Sequence, residues 1–420
     1  MKNFHEYGKF LSRNIRPIYP PLIKGNGVRV IDISGKVYLD FSSQTLNLNL
    51  GHRHQRIINA VKKQLERIYY TSSRFLDEPT LLLAKKLIEI SPSKLTKVNL
   101  KMTGGSEANE CAIKMLRKYH NKKIIVTTYY SFFGETFETM KCSGKYFDKS
   151  FIGNKCNYVY IYPPYCFRCP YNEDLSTCSL SCVESFRRVL YFRSDIAGII
   201  IEPINVNSGV IIPPKEYLVE IRKICDENGI GLVFDEVQTA FGWIGKIFAS
   251  DYFGVTPDIL TLGKGLSGGF PLGAVLFKEK YDVLEYGEHE FTYGAHPISC
   301  AASLEVINIL TESGFLNNVE KKGKYLKDRL LELKEEFDVI ADVRAIGLLV
   351  GVEIADRDGS PNHAQARKIY ETCLKEGLIL RLSHDFNGNT LIIKPPLIVS
   401  KNEIDEAIYI LRKVLMANRV

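Results

Sequence analysis

Lys264 stands where a lysine can become a nucleophile. The apolar tetrapeptide Ile259-Leu-Thr-Leu delivers it into a run with five glycines between Gly263 and Gly273. Glycines let the backbone turn sharply and let a bulky ligand come close. An amine held at such a turn loses water, its pKa falls, and it can attack a carbonyl carbon. Upstream, Gly231-Leu-Val-Phe reads as a short buried strand with Asp235 at its carboxyl end, where open α/β sheets bind ligands. A carboxylate there can pair with a protonated ring nitrogen, and Gln238 can hydrogen-bond a neighbouring oxygen. A third stretch, Lys101-Met-Thr-Gly-Gly-Ser-Glu-Ala-Asn-Glu, reads as a strand, a Gly-Gly turn and a helix start. The backbone N–H groups of Gly105 and Ser106 at that helix N-terminus suit a phosphate. Amine, ring-pairing carboxylate and phosphate cradle together describe a site for pyridoxal 5'-phosphate.

These residues must be carried by a sheet. Short apolar runs at Lys97–Met102, Ile124–Thr128, Tyr158–Tyr162, Gly198–Ile201, Gly231–Phe234, Ile259–Leu262 and Ala274–Phe277 alternate with helix-length stretches such as 105–119, 182–193 and 215–228. Strands alternating with helices imply crossover connections and a mostly parallel sheet, here of seven strands. His296–Leu310 reads as a long helix leading to a smaller C-terminal unit. That unit has strands around Gly347, at Leu378–Leu382 and at Leu391–Lys394, and a last helix opened by a Ser400/Glu403 capping box. Near the N-terminus an irregular arm over residues 1 to about 30 precedes a hairpin of Val28–Ile33 with Val37–Phe41. A helix then runs from about Gln55 to Glu66.

A chain of 420 residues can bury a large core, and 45% hydrophobic with 25% charged residues is an ordinary globular composition. The formal charge of +7 is scattered, which argues against a nucleic-acid partner. No run of eighteen apolar residues is present, and Met1-Lys-Asn-Phe-His-Glu-Tyr-Gly lacks an apolar signal segment, so neither a membrane span nor secretion is expected. Ten cysteines in such a chain point to free thiols in a reducing, cytoplasmic setting.

Five motifs occur in order: Thr103-Gly-Gly-Ser-Glu-Ala-Asn-Glu, Glu202-Pro-Ile, Asp235-Glu-Val-Gln-Thr, Leu262-Gly-Lys-Gly-Leu and Phe291-Thr-Tyr-Gly-Ala-His-Pro. On them the chain resembles the class III (omega/ornithine-type) aminotransferases, pyridoxal-phosphate enzymes of fold type I, from about Pro21 to the C-terminus. The resemblance implies an α/β fold: a large domain with a mostly parallel seven-stranded sheet and a smaller α/β C-terminal domain. Residues 1–60 would be an N-terminal segment packing with the small domain, 61–310 the cofactor-binding domain and 311–420 the small domain. It implies Lys264 as the Schiff-base lysine, Asp235 at the pyridine nitrogen and Phe132 stacked on the ring. Glu202 would stand beside Gln238, and Thr292 would reach the phosphate of the partner subunit in a homodimer. The implied reaction moves an amino group from an amine or omega-amino acid to a 2-oxo acid. The same carbanion chemistry also serves racemases, epimerases, lyases and decarboxylases. A catalytically silent binding protein on this fold is the further rival, against which the intact Lys264 and Asp235 argue.

The departures from the family bear on substrate. Phe133 replaces a usual histidine, and Asn207 stands where many members have a second acidic residue. Ile392 occupies the place of an arginine before the Pro-Pro pair, with Lys394 immediately ahead of the prolines. Phe133, Asn207, Trp243 and Tyr293 are expected to line the substrate pocket. Arg381 or Lys394 would have to supply any cation that Ile392 does not, and otherwise the acceptor is pyruvate-like. An insertion at 163–182 is not explained by the family. Its Cys166, Cys169, Cys178 and Cys182, with two, eight and three residues between them, have spacing close to a small structural zinc knuckle, although such cysteines can equally be buried thiols.

Overall fold

The computed structural model describes residues 10–12, 20–93, 95–146, 150–386 and 388–418. The segment Met1–Gly8, read above for a signal sequence, lies outside them. Strand β1 (Leu22–Asn26) pairs antiparallel with β2 (Arg29–Asp32), which pairs with β3 (Val37–Asp40). The expected β2–β3 hairpin is therefore present. The arm expected to be irregular up to residue 30 instead supplies a third strand, because Lys24 to Asn26 lie in register against Arg29 to Ile31.

Seven strands build the central sheet: β4 (Lys97–Met102), β5 (Ile124–Thr128), β6 (Tyr158–Ile161), β7 (Ile196–Ile201), β8 (Gly231–Asp235), β9 (Ile259–Leu262) and β10 (Gly273–Phe277). Their order is β4-β10-β9-β8-β7-β5-β6. The pairs from β6 to β9 are parallel, whereas β10 runs antiparallel to both β9 and β4. Strands β7 and β8 are buried at every residue, as expected of near-continuous apolar runs covered on both faces. Helix Gly105–His120 packs on β9 and β10, and helix Pro297–Leu310 packs on helices Gln55–Leu65 and Glu78–Ile90.

The C-terminal sheet combines β11 (Ile340–Ile346), β12 (Leu349–Ile354), β14 (Arg381–Leu382) and β15 (Thr390–Ile393) in the order β11-β12-β15-β14. Between β12 and β14 comes β13 (Leu378–Ile379), which pairs in parallel with β3. The stretch Leu378–Leu382 thus divides between two sheets: β13 joins the N-terminal hairpin and β14 joins the C-terminal sheet. The last helix, Lys401–Ala417, opens on the expected capping box of Ser400 and Glu403.

Candidate active site

Asp235 ends β8, and Thr261 lies directly beside it on β9. Asn109, buried on helix Gly105–His120, links the two: its Nδ2 donates to Asp235 Oδ2 at 2.8 Å, and its Oδ1 accepts from Thr261 Oγ1 at 2.6 Å. The Val237 N–H donates to Asp235 Oδ1 at 2.9 Å. Both carboxylate oxygens are thereby aimed before any ligand arrives. Burial pushes the Asp235 carboxyl up to about 6, against the opposing pull of these hydrogen bonds and of Lys264. Glu202 is pushed further, to about 8, by burial and by Asp235. Burial thus disfavours the charge on both carboxyls, more strongly on Glu202 than on Asp235.

Lys264 opens the 3-10 turn Lys264–Ser267 just past β9, with φ of 43°, a left-handed conformation uncommon outside glycine. The turn can form because Gly263 precedes it. A Cβ on Gly263 would come within 3.1 Å of the Gly105 nitrogen, and one on Gly105 within 2.7 Å of Val237 Cγ1. The lysine turn, the start of helix Gly105–His120 and the loop after Asp235 thus touch through glycine. Burial lowers the Lys264 amine below the usual lysine range, with Arg381 adding to the effect and Asp235 and Glu202 opposing it.

All three stretches border one cavity of about 460 Å³, a volume typical of a small-ligand site. Gly104, Gly105 and Ser106 line it at the helix N-terminus, where backbone N–H groups suit a phosphate, and a Cβ at Gly104 would meet only open space. Phe132, Phe133 and Gln238 line the same cavity with Lys264 and Asp235. Behind it, the Phe132 N–H donates to Glu202 Oε1 at 3.0 Å, and Gln238 Nε2 lies 3.5 Å from Glu202 Oε2. A flat ring carrying a phosphate arm and a basic nitrogen fits this set of groups: cradle at one end, carboxylate at the other, aromatic wall and amine between.

Four expected site residues lie elsewhere. Trp243 is 1% exposed and belongs to the main core. Left-handed backbone at Phe241 and Gly242 turns this stretch inward, and the Trp243 indole nitrogen comes 3.4 Å from where a Cβ on Gly265 would sit, so the ring supports the lysine turn from behind. Burying the largest apolar side chain outweighs the pocket-lining position its place in the sequence suggested. Asn207 does not border the cavity; its carbonyl accepts from the His384 N–H at 3.1 Å. Thr292 and Tyr293 are exposed and outside this chain's cavity, with the Thr292 carbonyl accepting from Tyr70 Oη at 3.3 Å.

The zinc expectation is corrected. Among the described residues no three His, Cys, Asp or Glu side chains gather as a metal-binding set. All four cysteines of the insertion are free thiols. The loop is organised by carboxylates instead: Glu173 accepts from Cys178 Sγ at 3.2 Å and from Ser181 Oγ at 2.7 Å, while Arg168 and Tyr165 bond the fully buried Glu353 of β12. Sequence reading also missed residues that matter. Asn109 sits one turn after Gly105 on the same helix face, a spacing that could have exposed it, whereas Thr261 and the cavity-lining Asn47 carry no such signal.

The chain matches the family model described as aminotransferase class-III over residues 10–415. It is 37% identical over 403 residues to the acetylornithine aminotransferase of Caldanaerobacter subterraneus, covering 94% of each chain. It is 35% identical over 412 residues to the leucine/methionine racemase of Thermococcus litoralis, covering 96% of this chain and 92% of that one. Among solved structures, it superimposes on the taurine:2-oxoglutarate aminotransferase of Bifidobacterium kashiwanohense, in complex with pyridoxal phosphate and glutamate. The TM-score there is 0.89 at 27% identity, over 97% of this chain and 95% of that one. The chain belongs to the class-III aminotransferase family and is a pyridoxal-phosphate-dependent transaminase of fold type I.

Proposed function

We propose that Lys264 and Asp235 are the catalytic residues of this transaminase, and that Gly105, Ser106, Phe132, Glu202 and Gln238 hold its cofactor. The observation that carries the proposal is the meeting of Lys264, Asp235 and the helix start at Gly105 around one cavity. Bound pyridoxal phosphate supplies an aldehyde that captures amines and a ring that takes up electrons from the substrate carbon. Asp235 would hold a proton on the ring nitrogen. Gly105 and Ser106 N–H groups would bind the phosphate, and Phe132 would pack against the ring and exclude water. Lys264 Nζ, its basicity reduced by burial, would be the group that moves the proton between substrate and cofactor. The donor class is an amine or omega-amino acid and the acceptor a 2-oxo acid.

The acceptor is monocarboxylic. A second, distal carboxylate would have to shed water against Phe132 and Phe133, which is costly without a paired cation. The holoenzyme converted by donor to its amino form should react with pyruvate at least tenfold faster in kcat/KM than with 2-oxoglutarate. Stopped-flow comparison of the two half-reactions decides this, and faster reaction with 2-oxoglutarate refutes it. The racemase reading draws support from the Thermococcus litoralis relative. It is tested by incubating the enzyme with single enantiomers of amino acids and no oxo acid. Transamination converts the cofactor to its amino form, whereas racemisation leaves the cofactor spectrum in place while the substrate loses optical activity.

The working unit is a cytoplasmic homodimer with shared sites. Its fold divides at 1–60, 61–310 with the insertion 163–182, and 311–420, a division supported by the seven-stranded sheet, whose strands all fall within 61–310. Around Tyr70, whose Oη donates to the Thr292 carbonyl, Tyr69, Phe75 and Leu76 are 65%, 68% and 71% exposed, an apolar surface suited to a second copy of the chain. Thr292 would then contact a phosphate in that copy. Subunit exchange between inactive Lys264→Ala and weakened Thr292→Ala proteins should regenerate one intact site per mixed dimer. Full activity from a monomer at low concentration would defeat the shared site.

A further inference from the structure

Phe132 borders the Lys264 cavity, and over its ring lies Lys145, whose Nζ stands 4.7 Å from the ring centroid. Lys145 does not itself border the cavity, so the ring stands between the amine and the ligand space. Lys145 is half-buried, and burial lowers its amine to about 8, with Glu135 opposing the effect and Arg381 adding to it. An ammonium partly stripped of water is drawn to the negative face of an aromatic ring, and more strongly the less water is left.

The backbone is built to bring the two together. After Phe132 the chain runs through helix Phe137–Cys142 and then returns in the 3-10 turn Gly144–Tyr146. Three hydrogen bonds fasten the returning segment to the loop that carries the ring. The Phe133 N–H donates to Ser143 Oγ at 2.8 Å, the Gly144 N–H to Ser131 Oγ at 3.0 Å, and the Lys145 N–H to the Ser131 carbonyl at 3.0 Å. The approach is close enough to require glycine, since a Cβ on Gly144 would fall 2.4 Å from the Thr128 carbonyl oxygen and 2.6 Å from the Tyr130 nitrogen. From the other side Glu202 accepts from the Phe132 N–H, and the Asn109 amide that donates to Asp235 also donates to the Phe133 carbonyl, at 2.8 Å. The backbone on either side of Phe132 is thus fixed, and what it leaves open is the rotation of the ring about its own side-chain torsions. Lys145 lies where that rotation would be set.

We propose that Lys145 is a positioning residue: it lies on the face of Phe132 turned away from the cavity and holds the ring at the tilt at which it packs on the cofactor. The inference rests on the reading of Phe132 as the side chain packed against pyridoxal phosphate, and it adds the group behind that ring. Lys145 touches neither substrate nor cofactor and moves no proton. A neutral side chain of similar length fills its volume but offers the ring no charge. Arginine, a cation that also stacks on aromatic faces, can replace it.

The test is a double-mutant cycle read on cofactor binding. Cofactor-free protein is titrated with pyridoxal phosphate, and circular dichroism in the cofactor's absorption band is recorded per bound cofactor, a signal that depends on how the ring is held in its chiral site. Lys145→Met should bind the cofactor about fivefold more weakly and give a weaker band, whereas Lys145→Arg should stay within about twofold of the wild type. Phe132→Leu should weaken binding by itself, and adding Lys145→Met to it should cost nothing more. Thermal unfolding of the cofactor-free proteins checks that each variant is folded, and Lys145→Gln takes the place of a methionine variant that is not. Wild-type affinity and band in Lys145→Met overturn the proposal. So does an arginine variant as weak as the methionine one, or a methionine effect equally large in the Phe132→Leu background. Failure of the reading beneath it shows differently: Phe132→Leu would then bind the cofactor as tightly as the wild type.

Discussion

Lys264→Ala should abolish turnover with every donor and acceptor, and with it the visible absorption that arises when the lysine holds the cofactor. The fold should survive, because Lys264 stands at a turn and its left-handed φ is one that alanine adopts at modest cost. Cofactor should still bind, since the helix start at Gly105 and the carboxylate of Asp235 do not depend on the lysine. Absorption spectra with added pyridoxal phosphate, together with single-turnover kinetics, separate lost chemistry from lost binding. Turnover near that of the wild type would remove Lys264 from its role.

Asp235→Ala should slow the reaction by about three orders of magnitude, roughly 4 kcal/mol of barrier, because a ring without its proton is a poor electron sink. Asp235→Glu should retain more activity than the alanine variant. Asn109→Ala should reproduce part of the loss, since Asn109 is the donor that holds Asp235 Oδ2 and ties it to Thr261. Near wild-type rates for Asp235→Ala with a saturating donor would show the pyridinium assignment to be wrong. The pH profile adds a sign. The Asp235 carboxyl is raised to about 6 by burial, so its anion, and with it capture of a protonated ring, is lost as pH falls through that value. Cofactor affinity should therefore weaken on acidification below about 6.

Much of this was legible in one dimension because the chemistry is written in short local stretches. The seven central strands were read with shifts of a residue or two, since fully buried parallel strands leave continuous apolar runs bounded by turns. Lys264, Asp235, Gly105 and Ser106 follow from the same logic, each at the end of a strand or the start of a helix, and they do border one cavity. Trp243 shows where local reading fails. Its nearness in sequence to the site suggested a wall of the pocket, while the fold used it to fill the core beneath Gly265. The cysteine insertion fails in the same way. Spacing alone suggested metal ligands, but the side chains that organise the loop are Glu173 and, from a distant strand, Glu353.

The sequence by itself determined the central sheet and brought Lys264, Asp235 and the helix start at Gly105 to notice as one candidate site, because each depends on residues adjacent in the chain. It also showed that Ile392 had displaced an expected cation. Only the tertiary structure decided which residues surround Ile392. The split of Leu378–Leu382 between two sheets sets Arg381 across from Ile392, and strand alternation brings Lys394 to the same face. Asn109 likewise reaches Asp235 only once helix and sheet are packed. Cross-strand register and helix-on-sheet docking join residues far apart in the chain, and they follow from which apolar faces bury against each other, a global competition that no local motif encodes.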